Sequence, residues 1–193
     1  MRHIEPAMIE YIDIKLKTNG LAQRAIETKA ARSLFIQAAQ CLVGIREVGG
    51  NNEGPMVELI QKTIGNAGKE PWCMSFVQTC LAYAEVKTGI TSPIYDSEHC
   101  ITVWHKSPKV ARVNVFPLGG AIVIWRRSTS TKGHTGVLLS ADGNLMNCVE
   151  GNTESGLDPN GKVERDGGGI YHTVRDMRGT GSLNVVGFLK PFG

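Results

Sequence analysis

The residues with the most chemical potential in this chain lie in Glu70-Pro71-Trp72-Cys73-Met74-Ser75-Phe76-Val77. Proline cannot continue a preceding helix, so Pro71 marks the entry to a new element. From Cys73 onward, Phe76, Val77, Cys80, Leu81 and Ala84 recur at helical spacing. Cys73 is therefore expected in the first turn of a helix. That end of a helix carries partial positive charge and N–H groups without an intrahelical partner. Both favour a thiolate, the nucleophilic form of cysteine. The chemistry this points to is covalent catalysis, provided that a base reaches the sulphur.

The candidate base is His134, in Lys132-Gly133-His134-Thr135-Gly136-Val137-Leu138-Leu139. Stretches rich in β-branched and aliphatic residues flank it, Ala121-Ile122-Val123-Ile124-Trp125 before and residues 144–149 after. His134 is expected at the start of a strand, with Gly133 and Gly136 leaving its backbone uncrowded. Cys148-Val149-Glu150-Gly151-Asn152 reads as the following strand, ending in polar residues. A turn at Ala141-Asp142-Gly143-Asn144 would join the two strands as an antiparallel pair. The end of the second strand then returns to the start of the first, which places Glu150 or Asn152 beside His134. A group that orients the imidazole completes the logic of nucleophile, base and orienter.

Each of these residues also has a plainer role open to it. Cys73 would serve as a buried helix cysteine, His134 as a hydrogen-bonded strand histidine, and Glu150 as a strand-end carboxylate. Asn152 fits a turn former, a holder of the imidazole or a lining of an oxyanion site. His172, in Ile170-Tyr171-His172-Thr173-Val174, competes with His134 but reads better as an exposed strand residue. Trp72 would shield the thiolate, stack on a substrate or belong to the core. N–H groups at the start of the helix, those of Cys73 and Met74 among them, would meet a developing oxyanion.

A helix-borne cysteine, a histidine in Gly-His-Thr-Gly and then Val-Glu-Gly-Asn, in that order, resembles the CHAP family. These are papain-like amidases and endopeptidases that cut bacterial peptidoglycan. Three more stretches resemble the family. Arg46-Glu47-Val48-Gly49-Gly50-Asn51-Asn52-Glu53-Gly54-Pro55 matches the segment before the cysteine helix. Pro117-Leu118-Gly119-Gly120-Ala121-Ile122-Val123 matches the strand before the histidine. Asn184-Val185-Val186-Gly187-Phe188-Leu189-Lys190-Pro191 matches the closing strand. The resemblance covers residues 32–193, read as the catalytic domain, with residues 1–31 as an N-terminal helical extension. NlpC/P60 proteins share the arrangement but often orient the imidazole with a second histidine, where this chain offers Glu150 and Asn152. The resemblance implies an α+β, papain-like fold of the NlpC/P60 type, with N-terminal helices and the cysteine helix packed on an antiparallel sheet. It implies hydrolysis of an amide bond in peptidoglycan through a thioester at Cys73. A cysteine peptidase acting on protein and a non-catalytic wall-binding module remain the alternatives. Some CHAP members bind calcium through clustered aspartates near the cysteine. No such cluster stands here, and Lys162 spoils the calcium spacing of Asp158-Pro159-Asn160-Gly161-Lys162, which reads as a turn. No metal or other cofactor is expected.

Several elements must position these residues. Residues 5–18 read as a helix stopped by Asn19-Gly20. A second helix is expected over 21–46 with a break near Ala30; its later part, with Leu34, Phe35, Ala38, Ala39, Leu42 and Val43, is strongly amphipathic. Residues 49–54 read as a loop, and Pro55 opens a helix with Val57, Leu59, Ile60 and Ile64. The cysteine helix should end near Lys87-Thr88-Gly89, and a short helix is expected around 99–104. Strands follow from Ala121, one short strand at 169–174 among long loops, and a last strand at 184–189. Helices first and antiparallel strands later mean α+β.

The chain has 193 residues, 41% hydrophobic, which suits a soluble globular domain with a substantial core. A net charge of +3 helps approach to an anionic wall but is no nucleic-acid signature. Five cysteines without CxxC spacing argue against a disulfide framework or a zinc site. Cys41, Cys80, Cys100 and Cys148 have apolar neighbours and read as small buried thiols. The start, Met1-Arg2-His3-Ile4-Glu5-Pro6, has no basic region leading into an apolar run, so no secretory signal is expected, and no stretch is apolar enough for a membrane span. The expected partner is bacterial peptidoglycan, with an immunity protein or a delivery apparatus beside it, and a monomer is expected. The protein would be made in the cytoplasm and act in the periplasm or cell wall after lysis or secretion.

Overall fold

The computed structural model describes residues 2–65, 68–113, 117–128, 130–154, 168–179 and 181–193. Among the described residues, six α-helices come first: α1 (Pro6–Leu16), α2 (Gly20–Glu27), α3 (Ala31–Cys41), α4 (Pro55–Lys62), α5 (Cys73–Thr88) and α6 (Cys100–Lys106). Six strands follow: β1 (Arg112–Val113), β2 (Ile122–Arg127), β3 (Gly133–Asp142), β4 (Leu145–Thr153), β5 (Gly169–Asp176) and β6 (Leu183–Leu189). All strand pairs are antiparallel, in the order β1-β6-β2-β3-β4-β5. The expected α+β class is what the chain adopts.

Local chemistry accounts for most boundaries. Pro6 and Pro55 each sit at a helix start, where the missing N–H costs nothing. Asn19 caps α2 by accepting from the Ala22 N–H at 3.0 Å. The break near Ala30 falls between α2 and α3. Gly89 ends α5 in the left-handed conformation with φ 71°. The hairpin between β3 and β4 turns at Gly143-Asn144, as the sequence predicted. The turn expected at 158–162 lies outside the described residues. Two features were not foreseen: the short strand β1, and residues 44–47, which run along β5 through Gly44, Ile45 and Glu47 main-chain bonds.

Alternation along the strands splits the apolar residues between two clusters. Ile122, Ile124, Val137 and Val149 join the helices in a large core. Val123, Trp125, Leu138 and Cys148 build a smaller cluster on the opposite face with Leu183 and Phe188. Met8, Ile12 and Leu16 of α1 and Ala22 and Ala25 of α2 are buried in the large core. α5 lies at its centre and packs on α3, β3 and β4. Almost every residue of α5 is buried, and the polar side chains it carries inward, Gln78, Thr79 and Glu85 among them, are hydrogen-bonded there. Gly151 makes this packing possible, since a Cβ there would lie 2.7 Å from Phe76 Cβ. Among the described residues, no helix is long and apolar enough to cross a membrane.

Candidate active site

Cys73 is the first residue of α5, where sequence spacing put it. The helix cannot use its N-terminal N–H groups, and the Met74 N–H points at the Cys73 sulphur. His134 is the second residue of β3 and opposes Trp125 on β2. The two rings stack, with centroids 5.7 Å apart. This fixes one wall of the imidazole. His134 Nε2 bonds to Glu150 Oε2 at 2.8 Å. Because the carboxylate accepts there, Nε2 carries the proton and Nδ1 is the nitrogen left for the thiol, to which His134 also bonds.

Glu150 reaches His134 because Gly136 has no side chain. A Cβ on Gly136 would lie 2.6 Å from Glu150 Cγ. The sequence reading gave Gly133 and Gly136 the task of leaving the histidine backbone free; the space at Gly136 in fact serves Glu150. The carboxylate is fully buried and ringed by donors. Arg175 grips it with Nε to Oε1 at 2.9 Å and Nη2 to Oε2 at 2.6 Å. Thr173 donates its hydroxyl to Oε1. Both residues come from β5, whose alternation puts them opposite exposed His172. His172 is thus the surface strand residue it was read to be.

Electrostatics follow from these contacts. Burial opposes the charge on Glu150, but Arg175 and His134 outweigh it and hold the carboxyl down at about 2. Burial also opposes an imidazolium, yet Cys73 and Glu150 push His134 up to about 9. Cys73 is held well below the ordinary thiol value, first by a hydrogen bond from Cys100, against burial, and then by His134. The other thiols move the opposite way. Burial pushes Cys41 up to about 12 and raises Cys80 and Cys148 as well. Cys100 is raised by its bond to Cys73 and by burial. One cysteine in five is therefore poised as a thiolate, paired with an imidazolium.

The sequence offered Glu150 or Asn152 as neighbour of the imidazole, and the bond goes to Glu150. Asn152 takes a left-handed backbone with φ 52°, which asparagine tolerates. Its Oδ1 accepts from the Trp72 main-chain N–H at 3.1 Å, and its Nδ2 donates to Asn52 Oδ1 at 3.1 Å. Asn152 thereby ties the end of β4 to the residue just before the cysteine helix. Of the roles open to Trp72, the structure favours the core one over substrate stacking. Trp72 is fully buried and its indole N–H donates to Glu47 Oε1 at 2.9 Å, so its ring cannot stack on a substrate. The Met74 side chain is likewise buried and contributes only through its N–H. Cys100 is the buried thiol it was expected to be, but it has a second thiol for a neighbour. It starts α6, and its sulphur lies 3.7 Å from that of Cys73.

A cavity of about 470 Å³ opens over this group. Cys73, Cys100, His134 and Asn152 line it, with Arg127 and Lys132 bringing positive charge and Glu70 and Glu98 negative charge. A thiolate at its wall, an imidazolium beside it and a dry carboxylate behind can attack a carbonyl and then return a proton to a leaving group. Among the described residues, no group of three or more His, Cys, Asp or Glu side chains is placed to hold a metal ion. Sequence reasoning missed Thr173, Arg175 and Trp125. Alternation within 169–176 was the available signal for the first two, since it sets Thr173 and Arg175 on one face. Comparison of the chain with family models, curated proteins and solved structures yields no match.

Proposed function

We propose that this protein is a papain-like cysteine hydrolase of the CHAP type that cleaves an amide bond of bacterial peptidoglycan. The observation that carries the reading is the chain Cys73, His134, Glu150, with the imidazole held at 2.8 Å by a carboxylate that is itself fixed by Arg175. The sequence motifs resembling CHAP proteins supply the substrate class. The cavity walls, which bear both signs of charge, suit a peptide stem with amino and carboxylate groups.

The reaction follows from the residues. The Cys73 thiolate attacks the amide carbonyl carbon and forms a tetrahedral oxyanion. N–H groups at the start of α5, those of Cys73 and Met74, receive the negative charge. His134 gives its proton to the leaving amine, and a thioester remains on Cys73. Water, deprotonated by His134, then releases the acyl group and restores the thiolate–imidazolium pair. Glu150 keeps the Nε2 proton in place and offsets the positive charge of the ring. A monomer delivered by cell lysis or by a secretion system belongs to the same proposal.

Digestion of purified peptidoglycan by the wild type and Cys73→Ala, with products read by mass spectrometry, tests the reading. Free stem peptides from intact glycan make the protein an amidase, and shortened stems or split crosslinks make it an endopeptidase. Cys73→Ala should be folded and inactive; substantial residual cleavage by it would sink the mechanism. No product from several wall chemistries, together with cleavage of casein, would move the substrate to protein. Slow iodoacetamide labelling of Cys73 below pH 8, no faster than the other four cysteines, would leave only a binding module.

A further inference from the structure

The hydrolytic sequence uses one thiol, yet two meet at the cavity. Cys73 Sγ and Cys100 Sγ are 3.7 Å apart. They begin different helices, α5 and α6. Gly133 at the start of β3 lets α6 come this close, since a Cβ there would lie 2.9 Å from Cys100 Cβ. Both cysteines line the open cavity, at 7% and 5% exposure, within reach of a small solute. The remaining thiols offer no such pair at the cavity. Cys80 and Cys148 are sealed from solvent, and Cys41 bonds to the Ala38 carbonyl.

We propose that Cys73 and Cys100 form a reversible dithiol–disulfide pair in which Cys100 resolves Cys73 after oxidation by a peroxide. The Cys73 thiolate attacks one peroxide oxygen, the O–O bond breaks, and Cys73 becomes a sulfenic acid while the other oxygen leaves as water after protonation. The Cys100 sulphur then attacks the Cys73 sulphur. The S–O bond breaks, and the hydroxide leaves as water with the Cys100 proton. Two thiols lose two electrons and two protons in total, and one peroxide becomes two waters. The sulphurs must close from 3.7 Å to the disulfide length of about 2.0 Å. A dithiol reductant returns both electrons by exchange through a mixed disulfide. The disulfide withdraws the nucleophile from use and spares it from irreversible oxidation to a sulfinic acid. This inference requires Cys73 as a thiolate and is independent of which amide is cut.

The test reads mass instead of turnover, so it stands apart from the substrate assignment. The reduced full chain is treated with hydrogen peroxide near pH 7, residual thiols are alkylated, and peptides are mapped without reductant. The expected product is a monomer whose Cys73 and Cys100 peptides are joined, and dithiothreitol should return two alkylatable thiols. In Cys100→Ser, and in Cys100→Ala as a second variant, Cys73 should accumulate as a sulfinic acid that dithiothreitol does not recover. Wild-type Cys73 oxidised beyond sulfenic acid while Cys100 stays alkylatable overturns the proposal. So does a link from Cys73 to any other cysteine, or an unoxidised Cys73 under peroxide that oxidises glutathione. The wild-type map decides the matter by itself where a Cys100 variant does not fold.

Discussion

Among the described residues, two glutamates are fully buried, and each meets a buried arginine. Glu85, on α5, accepts from the Arg2 guanidinium, from the Arg2 N–H at 2.9 Å and from the Ser92 N–H at 2.9 Å. Arg2 continues to Gln78 Oε1 at 2.6 Å and to the Ile94 carbonyl. Every partner in that network is a fixed donor or acceptor, and its effect is to pin the N-terminal residues and the segment after α5 to the helix. Glu150 has the same arginine clamp, with Thr173 in addition, but one of its partners is an imidazole at the cavity wall. A charge that only closes a network holds the fold. A charge that faces a titratable ring also sets the ring's proton affinity. Burial and arginine pairing therefore do not distinguish a structural carboxylate from a functional one; the third partner does.

Paired substitutions test this contrast most severely. Glu150→Gln and Glu85→Gln should each cost about 3 kcal/mol of stability, because each leaves an arginine buried without its counter-charge. Only Glu150→Gln should slow iodoacetamide labelling of Cys73 at pH 6.5, by about tenfold or more, as His134 loses the charge that supports its imidazolium. Equal slowing in both variants, measured by thiol mass labelling, would erase the distinction. Gly136→Ala should come next. Its Cβ would strike Glu150 Cγ, with an expected loss of about 2 kcal/mol in denaturant unfolding and slower labelling of Cys73.

The pH dependence sharpens the comparison. His134 is raised from 6.5 to about 9, so its contribution to stability is complete below pH 6.5 and is lost as pH rises through about 9. Glu150 is lowered from 4.5 to about 2, so its contribution is complete above pH 4.5 and is lost as pH falls through about 2. The pair is at full strength between about pH 4.5 and 6.5. Thermal midpoints followed across pH should show this plateau in the wild type and in Glu85→Gln, but not in Glu150→Gln. Hydrolysis should fall above pH 9 as His134 loses the proton needed by the leaving amine, while labelling of the thiolate continues. The smallest effect is expected from Thr173→Val, about 1 kcal/mol in denaturant unfolding with labelling nearly unchanged, since Arg175 still holds Glu150.

The sequence alone determined the order and kind of most elements and brought forward Cys73, His134 and either Glu150 or Asn152 as members of the candidate site. Pro71 followed by an apolar helical period placed Cys73 at a helix start, and the hairpin turn at Gly143-Asn144 brought Glu150 back to His134. These are short-range signals, carried by residues within one or two turns of helix or one hairpin. The tertiary structure decided the rest, for a physical reason. Arg175, Thr173, Trp125 and Cys100 act through contacts between elements distant in sequence, and each has ordinary local neighbours. Nothing near Cys100 in the chain says that the absence of a side chain at Gly133 will admit it beside Cys73. Nothing near Trp72 says that Glu47 will take its indole N–H into the core. Local pattern chooses helix or strand; burial and partnership arise only when the helices close on the sheet.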